Sequence, residues 1–137
     1  MFISVKDSDK PRIMPIAAEL AEMGFDIVAT EGTARYLQRH GIEAERIGKI
    51  KERSEKLLRR IAEGKIRMAI NTPLGRQDAA DSRSIRYMSS LKSIPCYTSV
   101  QAAKAALYGI KAKKGRIREI FCLQDIHHRS AKAAASR

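Results

Sequence analysis

The chain has 137 residues, 44% of them hydrophobic, enough to bury one sizeable core, and this length argues for one domain with no linker. A formal net charge of +12 calls for an anionic partner, but nucleic acid is disfavoured, because four Tyr, three Phe and no Trp leave little to interleave with the basic residues and stack on bases. No run of about 18 apolar residues and no charged-then-apolar leader is visible, so the expectation is a soluble cytoplasmic protein without a membrane partner.

Phe2-Ile3-Ser4-Val5 reads as a strand, after which Asp9 caps a helix with Pro11 in its tolerant first turn. Ile13, Ile16, Ala17, Leu20 and Met23 recur at helical spacing as its buried stripe, and Gly24 stops it. Pro15 costs that helix a hydrogen bond unless the helix begins close to it. Phe25 to Val28 reads as a second strand and Ala34 to His40 as a second helix. Glu45 to Ile50 follows as a short edge strand, and Glu55 to Glu63 as a helix closed by Gly64. Arg67 to Asn71 is a buried strand, Ala79 to Ser90 a helix and Ile94 to Tyr97 the fifth strand. Val100 to Tyr108 is the last clear helix, ended by Gly109. Cys96 and Cys122 stand in apolar runs, which suits buried reduced thiols better than a disulfide or a metal site.

Strands alternating with helices through short connections make βαβ units. The fold class is therefore α/β: a doubly wound, mostly parallel five-stranded sheet with helices on both faces, a Rossmann-like three-layer sandwich. Ligands of such sheets bind outside the carboxyl ends of the strands. Those ends carry Ser4 through Lys10, then Thr30-Glu31-Gly32-Thr33, then Asn71 through Arg76, then Thr98-Ser99. Each supplies hydroxyls, amides, glycine or cations, and together they point to a pocket for an anion or nucleotide. Gly32 permits close backbone approach, while Thr30 and Thr33 place hydroxyls beside the free amides of a helix's first turn. Two readings of Thr33 stand side by side: a phosphate ligand, or an N-cap without a ligand. Asn71 likewise reads as a ligand or a turn former, Asp81 as a ligand or a cap, and Lys10 and Lys49 as ligands or solvated cations.

The stretches Ser4 to Lys10, Ala29 to Ala34, Ile70 to Arg76 and Asp81 to Arg86 together resemble the methylglyoxal-synthase-like regulatory domain of the carbamoyl-phosphate synthase large subunit. The resemblance runs from Phe2 to about Ile126, making residues 1–126 one such domain and 127–137, with His127 and His128, a polar disordered tail. It implies a domain cut from a much longer large subunit. It also implies a domain that performs no chemistry but binds an allosteric nucleotide effector such as UMP or IMP and changes the activity of distant synthetase domains. The partners implied are those synthetase domains and a glutaminase small subunit. The domain itself carries no cofactor; the parent enzyme, an ATP-dependent ligase serving pyrimidine and arginine biosynthesis, uses ATP with Mg or Mn.

Carried over by the resemblance, Lys10, Thr30, Thr33 and Lys49 surround the effector phosphate, with the Gly32 turn between the threonines and Ser4 as a neighbouring hydroxyl. Asn71 and Thr72 flank phosphate and ribose, and Asp81, Thr98 and Ser99 stand toward the sugar and base. The family's common loop has two threonines after the asparagine; here the second is Pro73, which removes a hydroxyl and an N–H donor. An enzymatic alternative, a methylglyoxal synthase-type lyase acting on dihydroxyacetone phosphate, needs an aspartate after a glycine pair and a histidine beyond the fourth strand. Neither appears in residues 49–54 or 73–78. A basic nucleic-acid-binding domain is the third reading, and it requires no pocket.

Overall fold

The computed structural model describes the backbone of residues 1–47, 50–72 and 79–113, and the side chains of these except 50–54 and 79–82. Lys49, Pro73, Cys122, the tail 127–137 and the Asp81 side chain therefore lie outside the described residues.

The elements are β1 (Phe2–Ser4), α1 (Lys10–Glu22), β2 (Val28–Thr30), α2 (Glu31–Arg39), β3 (Glu45–Ile47), α3 (Ile50–Ala62), β4 (Ala69–Asn71), α4 (Ala79–Leu91), β5 (Cys96–Tyr97) and α5 (Val100–Lys113). The strands form one sheet in the order β3-β2-β1-β4-β5, and its pairings are parallel throughout. The α/β fold read from the alternation of elements is the fold observed.

Alternation along β1 explains why both faces are covered. Ile3 packs with Ile13, Ile16 and Leu20 of α1, Leu37 of α2 and Leu107 of α5, whereas Phe2 packs with Leu57 and Ile61 of α3 and Ile85 of α4. Both are fully buried, so the central strand serves two cores at once. The stripe expected on α1 is the one that is buried, with Met23 packed at its edge.

Four helices return to the sheet through the same cap. In each, a residue at positive φ follows the helix, and the next N–H donates to a carbonyl five positions back: Phe25 to Leu20, Ile42 to Leu37, Lys65 to Arg60 and Ile94 to Ser89. Three of these positions are Gly24, Gly41 and Gly64; the fourth is Ser93, at φ 53°. A side chain in the left-handed region costs on the order of 1 kcal/mol. Ser93→Gly is accordingly expected to raise stability by about 1 kcal/mol, read as a higher midpoint in urea unfolding; an unchanged or lower midpoint would show that the serine is unstrained there.

These caps also correct several boundaries. Phe25 to Ile27 is not strand, because the Phe25 amide is committed to closing α1, and pairing with β1 starts at Val28. Helix α2 begins at Glu31, three residues earlier than expected, with Thr30 as its N-cap, so Thr33 lies inside the helix and is not a cap. Helix α5 runs through Gly109 to Lys113, since Gly109 takes a helical backbone on an exposed face and only a residue that turns left-handed ends a helix this way. Pro15 sits within α1 on the exposed side, and the bond it cannot donate would have gone to Pro11, also exposed. Cys96 is half-buried rather than buried, and desolvation pushes its thiol up, keeping it protonated.

Candidate anion-binding site

Strands β2, β1 and β4 lie side by side, so the segments leaving their carboxyl ends meet at one point on the sheet edge. The segment after β1 is tied to both neighbours. On one side the Val5 N–H donates to Thr33 Oγ1 at 3.3 Å, and that hydroxyl donates to the Val5 carbonyl at 3.5 Å. On the other side the Lys6 N–H donates to Thr72 Oγ1 at 3.1 Å, while the Thr72 N–H donates to the Ser4 carbonyl at 3.0 Å. Thr33 and Thr72 are both buried, and they hold the chain as it turns from Ser4 through a short 3-10 turn (Asp7–Asp9) into α1.

That turn delivers Lys10. Its side chain is only 16% exposed, and a methyl group built on Gly32 would stand 3.2 Å from its Nζ. The ammonium thus lies directly over the first turn of α2, where unpaired amides and the helix dipole already make the local potential positive. Thr30, the N-cap, does not cap with its side chain; its hydroxyl donates to Thr33 Oγ1 at 3.1 Å instead. The first-turn amides therefore have no side-chain acceptor from their own cap. Two carboxylates stand here: Glu31, in the first turn of α2, is held by Arg35 at 2.8 Å, and Asp7 Oδ1 lies 2.6 Å from Lys10 Nζ.

Asn71 closes the far side. It pairs in register with Ser4, is 1% exposed, and its Nδ2 has no hydrogen-bond partner among the described residues. A buried amide donor left unpaired costs about 1–3 kcal/mol.

The sequence-selected residues thus divide. Lys10 and Gly32 present a donor and space at the corner; the hydroxyls of Thr33, Thr72 and Thr30 brace the chain there; Asn71 and Ser4 lie buried side by side at the ends of β4 and β1. Ser99 Oγ accepts the Ala102 N–H at 3.2 Å and so caps α5, with exposed Thr98 just before it, one strand beyond Asn71. Asp81 falls in the first turn of α4 rather than at its cap. Asp7 was passed over in the sequence, although its spacing of three from Lys10 at a helix entry was the available signal.

The larger described cavity, about 950 Å³, is on the opposite edge of the sheet, lined by Phe25 to Val28, Glu43 to Glu45, Arg60 and Ile66 among others. Its two cationic side chains are already engaged: Lys65 pairs with Glu63 at 2.8 Å, and Arg60 donates to both Glu45 oxygens at 2.8 and 2.6 Å, which holds the Glu45 carboxyl below its usual range. Volume and anion-binding chemistry therefore point to different edges; Lys10 is also paired, but its partner Asp7 is 91% exposed and the pair lies over the free amides at the start of α2, which favours the carboxyl edge.

Among known proteins, the family model described as MGS-like domain matches residues 12–98. The chain is 43% identical over 125 residues to the carbamoyl phosphate synthase large chain of Myxococcus xanthus, covering 91% of this chain and 12% of that protein. It is 44% identical over 126 residues to the C-terminal section of the large chain from Methanopyrus kandleri, covering 91% of this chain and 23% of the relative. The chain thus spans between about an eighth and a quarter of these relatives. A crystal structure of methylglyoxal synthase from Elizabethkingia anophelis superposes with a TM-score of 0.60 at 19% identity, covering 77% of this chain and 75% of that one.

Proposed function

This chain belongs to the MGS-like domain family, and from that premise we propose that it is the effector-binding regulatory unit of a carbamoyl phosphate synthase large chain. In this reading it binds a nucleotide monophosphate such as UMP or IMP through the phosphate and catalyses nothing itself. The observation that carries the proposal is the Lys10 ammonium seated over Gly32 at the start of α2, a partly buried cation at a helix N-terminus. A phosphate there would accept from Lys10, the first-turn amides and Asn71 Nδ2. Lys49 and the side chain of Asp81 would complete the phosphate and sugar contacts, with Thr98 and Ser99 toward the base.

Residues 49–54 lack the aspartate after a glycine pair, and residues 73–78 the histidine beyond the fourth strand, that a lyase of this kind needs, which suits a sensor better. Among the described residues the histidine is His40, exposed at the far end of α2, its Nδ1 bonded to the Tyr36 carbonyl. The effector would change the rate of the synthetase portions of the same large chain, in the cytoplasm and together with a glutaminase subunit, by binding two conformations with different affinity. ATP and Mg or Mn would belong to those portions.

Calorimetric titration with UMP, IMP, ornithine and inorganic phosphate tests this. A nucleotide should bind, and Lys10→Met should weaken it at least about tenfold, since a hydrogen bond to a charged group contributes about 1.5–3 kcal/mol. Steady methylglyoxal production from dihydroxyacetone phosphate, lost in Lys10→Met, would overturn the proposal.

A further inference from the structure

We propose that Asp7 is a built-in counter-anion of this corner, occupying on Lys10 the place an incoming phosphate must take, so that binding is an exchange of one anion for another; this rests on the anion-site reading above. Lys10 is held against the positive end of α2, an arrangement of like sign that needs a negative partner at all times. Asp7 supplies it at 2.6 Å, while its own side chain remains 91% exposed. Such a carboxylate keeps nearly all its hydration, and an ion pair with so exposed a member is weak, so Asp7 can swing away at little cost. Asp9, one turn position away, is different. Its carboxyl is 11% exposed and lies 3.8 Å from Arg12 and 4.0 Å from Lys6, so it remains in place whichever anion Lys10 holds.

The consequence is an affinity held below what the donors alone would allow, and a site that never stands as a bare cation. Asp7→Asn removes the charge and preserves shape, and the Asp7 carbonyl that accepts the Lys10 N–H is unaffected. Inorganic phosphate is the probe, titrated calorimetrically into the unaltered chain, Asp7→Asn, Lys10→Met and the double variant. Asp7→Asn should bind phosphate about two- to fivefold more tightly, and the same change in the Lys10→Met background should make no difference, because Asp7 acts through Lys10. Equal tightening in both backgrounds would reduce Asp7 to a general surface charge and overturn the exchange, as would an Asp7→Asn protein that binds no better than the unaltered chain while Lys10→Met still weakens binding. Failure of all four proteins to bind phosphate would remove the anion site itself and the exchange with it.

Discussion

Asn71→Asp should lower affinity for the bound anion by about two orders of magnitude, the largest functional loss expected of any single substitution described. The new side chain has the same shape, so the sheet pairing of Asn71 with Ser4 is retained. The chemistry is inverted. A buried donor without a partner becomes a carboxylate oxygen in a place that is 1% exposed. Loss of a hydrogen bond to a charged ligand accounts for about 1.5–3 kcal/mol, and repulsion between two anions in a poorly solvated corner adds to it. Phosphate titration followed by calorimetry checks the loss, with unfolding measured alongside to show that the protein is folded. An affinity within twofold of the original would mean that Asn71 faces no ligand and that its unpaired amide has another cause.

Thr33→Val should destabilise the fold by about 2–3 kcal/mol, although threonine and valine are nearly the same size. Thr33 Oγ1 accepts from the Val5 N–H and the Thr30 hydroxyl and donates to the Val5 carbonyl. With valine, a buried backbone N–H at Val5 loses its acceptor, and an unmet buried donor costs about 1–3 kcal/mol on its own. Thr33→Ser keeps the oxygen and should cost less than about 1 kcal/mol. Urea midpoints of the two variants separate the explanations: equal losses would mean that the methyl group matters and the hydroxyl does not. Because Val5 leads into the turn that carries Lys10, Thr33→Val should also weaken anion binding, through a misplaced lysine as well as a lost hydroxyl.

The family resemblance and the βαβ alternation were legible in the sequence because both depend on local order. Apolar runs of period two and stripes at helical spacing identify strands and helices, and short connections force them into a parallel sheet. The α1 stripe from Ile13 to Leu20 is a case in point, since its burial follows from spacing alone. Element ends were less legible. Phe25 is as apolar as a strand residue, but its amide is used five positions back by the cap of α1. Gly109 resembles a stop until the backbone is seen to stay helical through it.

At the carboxyl edge the sequence by itself determined which residue types would gather: lysine, glycine, hydroxyls and an asparagine at the ends of strands. What each does was decided only by tertiary structure. Thr33 and Thr72 read as ligands in sequence, and the packed sheet gives their hydroxyls a further part, since they meet the backbone of a segment 28 and 66 residues away and brace it. Lys10 and Gly32 belong to different βαβ units, and their approach exists only because β1 and β2 lie side by side. The physical reason is that a hydroxyl or an ammonium has several possible partners. Which one it takes depends on the geometry of the packed sheet and on what that packing leaves unpaired.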